Sequence, residues 1–460
     1  MTAVERDQPH VPPALVLGTL ATLVIIVVAN NSMGSLAQPD IASAFGVGPA
    51  DVGWVVFGYS VSFAVSTAIW GAIGRRFGVG RALSVAIVIL ALTSVAAAAA
   101  PDLALLIAAR VAQGFGSGAI PTLGNALIGR HYRGPTRAAA LGVIVGAVGT
   151  GLAIGPLLGG VLLDAIGWRA VVGLGLLTAP TALLVLRSDP HPGDARDRID
   201  LLGAVLVGSA ALAAVVLLNR LPVEGIGPLT IAALLVLLFA LPAAGWHSLV
   251  RGGSFMPRAV ITEPSYRRLV ALGAVGMSAF LGSLVIVPTA VERAQGLAGL
   301  ELGLVILPMA LTSAVLSPNN GRVTARLGAT ATARLSLGLL ALGPLLLAVI
   351  GAAASPLALA AALLPLGAGF ALLNAPLIDQ LMTVFEGPLA PVAVGSYNLV
   401  FFLGGSFGAA LSTALLQARV SLPLLPPAAS EPGFTTAALL LAALPIGAAL
   451  LLGRKPTIHR

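Results

Sequence analysis

The chain has no cysteine in its 460 residues, which excludes disulfides and thiolate metal sites. Charged residues make up only 9% and aromatics 5%, against 58% hydrophobic residues and a mean hydropathy of +1.01. A soluble domain carries about a quarter charged residues, so this composition points to a helical protein that crosses a membrane many times. No aspartate, glutamate or histidine falls in the middle of a long apolar run, and His10, His131, His191, His247 and His459 lie at or beyond run ends. There is no nucleotide-binding loop, no metal-ligand cluster and no nucleophile–base arrangement, so an enzyme is not expected and neither a cofactor nor a metal is implied. The net charge of +8 is not read as nucleic-acid binding, because in a membrane protein the side on which the charges lie is what matters.

Fourteen spans are predicted, at about 13–37, 51–72, 82–100, 103–128, 138–162, 168–187, 201–219, 227–249, 269–291, 301–320, 335–354, 356–378, 391–416 and 433–453. The first ten residues hold Glu5 and Asp7 and lack the basic start of a signal peptide, so the first run reads as a retained span. With the N-terminus inside, the outer loops hold only Arg169, Arg220, Arg293 and Arg419, and Arg110 alone lies within a span. Every other arginine and the single lysine, Lys455, fall inside. That asymmetry predicts both termini in the cytoplasm.

The stretch Gly142–Gly160 organises the chain. Gly151, Gly155 and Gly159 recur every fourth residue, so in a helix they form a stripe without side chains that a neighbour can approach closely. Pro156 follows Gly155, with Gly160 closing the motif; a proline inside a helix removes a hydrogen bond and favours a bend. The alternatives are a moving joint and a static tight contact. Span four carries Arg110, Gln113, Gly114 and Gly118 on adjoining faces. An arginine inside a bilayer must meet water or polar groups, and the polar stretch Asn30, Asn31 and Ser32 of span one is its expected partner. In the second half, Asn374 lies in span twelve with Asp379 just past it, and span thirteen offers Tyr397, Asn398 and Phe402. Aromatics beside amides suit an amphipathic organic ligand.

Gly71 to Gly78 and Gly321 to Gly328 share the pattern G-x-(I/V)-x-x-R-(F/L)-G at an offset of 250 residues, and Asp51-Val-Gly53 matches Glu301-Leu-Gly303 at the same offset. Two matches in register indicate a duplication with two spans inserted, giving an all-α architecture of six, two and six helices. The predicted units are 1–190, a linker with the inserted pair at 191–262, and 263–460. Repeated halves with a site between them are a common transporter plan. The paired acids at helix starts read first as charges that complement the helix dipole.

These residues resemble the major facilitator superfamily, and within it the fourteen-span drug:proton antiporters. Gly151-Leu-Ala-Ile-Gly-Pro-Leu-Leu-Gly-Gly160 is similar to that group's fifth-span antiporter motif, Arg110-Val-Ala-Gln-Gly114 to its fourth-span motif, and Gln38-Pro-Asp-Ile41 to the end of its first span. Residues Gly71 to Gly78 resemble its cytoplasmic loop motif, in which an acid normally stands where this chain has Arg75, followed by Arg76. That acid helps latch the halves together, so the latch here must differ.

The resemblance implies a multi-pass bacterial cell-membrane exporter of small amphipathic compounds, acting by alternating access and coupled to protons. It would work as a monomer in the bilayer, without nucleic acid. Asn30, Asn31, Arg110 and Gln113 are expected to line the substrate cavity opposite Asn374, Tyr397, Asn398 and Phe402, with Gly151, Gly155, Pro156, Gly159 and Gly160 as the hinge. Group members often carry an acid where this chain has Asn30 and Asn31, so Asp40 and Asp379 are the remaining candidates for proton coupling. A cavity without an acid favours neutral, zwitterionic or anionic substrates. Two other readings stand beside this one: an uncoupled facilitator or exporter of lipid-like molecules, and a membrane sensor or assembly partner that transports nothing.

Overall fold

A computed structural model describes residues 11–191, 193, 200–250, 256–297, 299–385, 389–419 and 433–451. The expected inner arginines Arg6, Arg196, Arg198, Arg251, Arg454 and Arg460, together with Lys455, His10, His459 and the linker acids Asp194 and Asp197, lie outside those residues.

The described chain is all-helical. Among the described residues, twelve helices are long and apolar enough to cross a membrane, and two shorter apolar helices, Leu202–Leu218 and Phe434–Leu450, accompany them. In chain order the principal helices are α1 (Pro13–Leu36), α2 (Pro49–Phe77), α3 (Val79–Ala98), α4 (Leu103–His131), α5 (Gly134–Ala165), α6 (Trp168–Ser188), α7 (Leu201–Glu224), α8 (Pro228–Val250), α9 (Pro264–Gln295), α10 (Glu301–Leu327), α11 (Ala329–Ile350), α12 (Pro356–Val384), α13 (Leu389–Gln417) and α14 (Phe434–Leu451).

Local rules account for the helix ends. Proline stands in the first turn of α2, α5, α9 and α12, where its missing N–H costs nothing. Asp51 and Glu301 both occupy first turns, as expected for charges facing a positive helix end. The repeated loop motif ends α2 and α10 in the same way. Gly78 has φ +92° and ψ 144°, and Gly328 has φ +81° and ψ 154°, a conformation that only glycine adopts without strain. The duplication read from sequence is therefore also a duplication of backbone geometry.

Helices α1 to α6 pack on one another, as do α9 to α14. The α7–α8 pair rests against α2 and α13 through an apolar cluster of Ala68, Ala72, Val207, Ala211, Ala244 and Leu399. The outward face of α8 is apolar, with Leu238, Phe239 and Trp246 all exposed, as suits lipid. Its end carries a feature that the apolar sequence did not advertise: His247 Nε2 lies 2.8 Å from both carboxylate oxygens of Asp200, which also caps α7.

Candidate functional site

The two helix groups meet along two seams built from equivalent residues. At one, Gly142 of α5 lies against the Ser317 carbonyl of α10; at the other, Gly395 of α13 lies against the Thr67 carbonyl of α2. The offset of 250 that relates Gly71 to Gly321 also relates Thr67 to Ser317. Gly71 in turn faces Pro391 and Val392 of α13, while Gly321 faces Pro135, Ala138 and Ala139 of α5. At Gly142, Gly395 and Gly71 a Cβ would meet backbone carbonyls, so these positions need glycine for close approach.

The seams run from the arginine-rich end to mid-depth. Near the middle, the Phe63 and Phe402 rings meet edge to face with centroids 4.8 Å apart, and Gly149 approaches Ala310 and Ser313. Asn398 donates through Nδ2 to the hydroxyl oxygen of Thr122 at 3.2 Å. At the arginine-rich end, Arg137 at the start of α5 donates from Nε to Asp379 Oδ1 of α12 at 2.5 Å and from Nη2 to the Asp379 carbonyl and the Thr383 hydroxyl. Both partners are largely shielded, with side chains 15% and 26% exposed. Within the first group, Asp189 accepts from Arg130 at 2.6 Å and from the Gly80 N–H at 3.2 Å, tying the ends of α3, α4 and α6 together.

The glycine stripe of α5 turns away from the seam and packs on α1 in its own group. Gly151 faces Ile25 and Val28, Gly155 faces Ala29 and Ser32, and Gly159 faces Met33. Pro156 lies inside α5, which runs unbroken from Gly134 to Ala165. Thus α5 uses Gly142, Gly146 and Gly149 against the opposite group and the antiporter-like glycines against its own.

Arg110 and Gln113 are fully buried inside the first group, and Asn30 is 3% exposed. Arg110 donates from Nη1 to Asn30 Oδ1 and Gln113 Oε1, both at 2.9 Å, and from Nε to the Val55 carbonyl at 3.2 Å. Its guanidinium carbon sits 4.3 Å from the centre of the Tyr59 ring. The two amides are held in turn: Asn30 Nδ2 donates to the Val171 carbonyl, and Gln113 Nε2 to Ser94 Oγ and the Val172 carbonyl. The pairing of Arg110 with span one expected from sequence is present, through Asn30. Asn31 is exposed.

On the other side, Tyr397 is enclosed in its own group, donating its hydroxyl to Asn374 Oδ1 at 2.9 Å beside Gly273. Asn398 and Phe402 are the two of this set that reach the opposite group. Asp40 is exposed in a short helix, Gln38–Phe45, that follows α1. Arg75 and Arg76 lie in the last turn of α2. Sequence reasoning did not select Arg137, Thr122, Thr383 or Ser94. Arg137 stood in sequence as one of the inner arginines just before span five, and its partner lies 242 residues away.

Comparison with known proteins bears on most of the chain. The sequence profile of the family described as Major Facilitator Superfamily matches residues 19–409. The chain is 28% identical over 412 residues to "Drug efflux pump JefA" of Mycobacterium tuberculosis, covering 86% of this chain and 78% of that protein. It is 27% identical over 447 residues to "Tetracenomycin C resistance and export protein" of Streptomyces glaucescens, with 91% and 81% covered. Among solved structures, the crystal structure of the human organic anion transporter MFSD10 (TETRAN) superimposes with a TM-score of 0.69 at 16% identity, covering 96% of this chain and all of that one. The likeness to that structure shows a shared fold.

Proposed function

The chain belongs to the Major Facilitator Superfamily, and on that premise we propose that it exports small amphipathic organic compounds across a bacterial cell membrane by alternating access with proton antiport. The observation that carries this reading is the pair of glycine seams, Gly142 on Ser317 and Gly395 on Thr67, which close the two groups against each other from mid-depth to the arginine-rich end. Such seams can part and reform as rigid bodies, because each is a contact of backbone on backbone. The relatives named for drug efflux and for export support the choice of cargo.

In this reading the arginine-rich end is cytoplasmic and holds both termini. The described arrangement is then closed to the cytoplasm. The spans number fourteen, as six, two and six, with units 1–190, 191–262 and 263–460, and the protein works as a monomer. Once the cytoplasmic end opens, Asn30, Arg110 and Gln113, all covered here, serve with Asn31 as one wall of the cavity, and Asn374, Tyr397, Asn398 and Phe402 as the other. The Gly151, Gly155, Pro156, Gly159 and Gly160 motif lets α5 shift on α1. The Arg137–Asp379 pair takes the latching role that Arg75 cannot fill. When the cytoplasmic end opens, that pair breaks and the Asp379 carboxylate faces water, free to take a proton. With no acid at mid-depth, permanent organic cations are poor cargo; lipophilic quaternary cations as best substrates, together with an inert Arg110→Ala, would refute that preference.

The test is drug transport in inside-out vesicles under an imposed pH gradient, with Asp40→Asn and Asp379→Asn beside the parent. Transport should follow the gradient in the parent, and Asp379→Asn should abolish that dependence. If all three proteins ignore the gradient, antiport is refuted and the uncoupled facilitator takes its place. One observation favours that second reading: Asp40 is exposed beyond the outer end of α1, and Asp379 lies at the inner end of α12.

A further inference from the structure

Resting on the export reading above, we propose that the Arg110 guanidinium is a binding site for a singly charged anionic group, such as a carboxylate of the transported compound. Helices α1, α3, α4 and α6 contain no aspartate or glutamate, and α2 and α5 carry only Asp51 and Asp164, each at its outer terminus. Asp51 is exposed. Arg110 is therefore a fixed, fully buried cation among neutral groups. Its guanidinium cannot shed its proton in a protein, and a buried charge without an opposite charge is costly. Its partners are the oxygens of two amides, one backbone carbonyl and one aromatic ring.

The second observation is an unused donor. Arg110 Nη2 is buried and has no hydrogen-bond partner, which is uncommon for a buried polar nitrogen. It points at α1, where Gly34 has no side chain; a Cβ there would sit 3.2 Å from Nη2. Nη1 and Nη2 together form the planar fork that matches a carboxylate. Seating one requires only that Nη1 exchange Asn30 or Gln113 for an anionic oxygen. Both amides remain anchored through their nitrogens to Val171, Ser94 and Val172, so neither is left unsupported by that exchange.

The third observation concerns access. Arg110 is completely covered here, and the helix that covers Nη2 is α1, which itself rests on the side-chain-free Gly151, Gly155 and Gly159 face of α5. A shift of α1 along that smooth face uncovers the fork. In the arrangement closed at the arginine-rich end, Asn30 and Gln113 hold the guanidinium in place of the anion, which is how such a site releases what it carried. The anion binds in the opposite state.

The test uses the purified full-length protein in chloride-free Hepes buffer and a matched probe pair, 2-naphthoate and neutral 2-naphthamide, by isothermal titration. The parent should bind naphthoate at least about tenfold more tightly than naphthamide. Arg110→Gln should erase that preference. Because that variant can fail to fold, Asn30→Asp is the second: it supplies an internal carboxylate to the same fork and should also erase the preference. Displacement of naphthoate by chloride assigns the site to small anions generally; resistance to chloride assigns it to organic carboxylates. Equal binding of both probes to the parent, or a preference that survives Asn30→Asp, overturns the proposal. Because binding is read without transport, a preserved preference in a protein that exports nothing refutes the export reading alone, and export without any preference refutes this site alone.

Discussion

Arg137→Asp is expected to lower export at least about tenfold, and the exchanged double variant Arg137→Asp with Asp379→Arg to bring most of it back. The pair joins α5 to α12 across the two groups, with a second hydrogen bond from Arg137 to Thr383. Hydrogen bonds to charged groups contribute about 1.5–3 kcal/mol, and each 1.4 kcal/mol is about a factor of ten in an equilibrium. Losing the pair and placing two carboxylates together therefore moves the closed population by one to two decades. The exchanged variant restores attraction but not the fork geometry of arginine toward Thr383, so recovery should stop short of complete. The absence of cysteine makes the shift measurable directly: spin labels at Arg133→Cys and Val384→Cys report the separation of the inner ends. A longer distance in Arg137→Asp that returns in the double variant supports the latch. An unchanged distance in Arg137→Asp removes it.

Gly142→Ala and Gly395→Ala should each reduce export by roughly tenfold to a hundredfold and hold the inner ends apart, and the two effects should be of similar size. An added Cβ at Gly395 would lie 2.8 Å from the Thr67 carbonyl oxygen, and at Gly142 it would meet the Ser317 carbonyl. Backbone inside a helix cannot swing aside as a side chain does. Overpacking of this kind costs about 1–3 kcal/mol, and here the cost falls only on the state in which the seam is closed. Gly338→Ala, whose Cβ would meet nothing within 4 Å, is the control and should leave both export and the spin-label distance unchanged. If one seam variant is silent while the other is severe, the two seams do not act as equivalents, and the duplication has lost its mechanical meaning.

The repeated motif illustrates how far sequence reaches. Gly71 and Gly321 stood out because two short matches shared one offset, and the structure gives both helix ends the same glycine conformation and equivalent neighbours. Arg110 was legible for another reason: a charge in an apolar run admits only a polar interior, and Asn30 was the amide near enough in the chain's expected order to supply it.

What the sequence alone determined is what depends on composition, sidedness and internal repetition. A chain with so few charges points to lipid, its arginines are expected to crowd one side, and the duplicated stretch predicts two related groups of helices. What only the tertiary structure decided is which face of each helix meets which neighbour. In a soluble protein the contrast between polar and apolar residues fixes that phase. Here both the lipid side and the protein side of a helix are apolar, so Gly142 and Gly151 look alike in sequence although one meets α10 and the other α1. The same loss of contrast hid the enclosure of Tyr397 within its own group and the bond from Asn398 to Thr122. The Arg137–Asp379 pair was hidden by separation, since only the docking of α5 beside α12 brings residues so far apart in the chain into one ion pair.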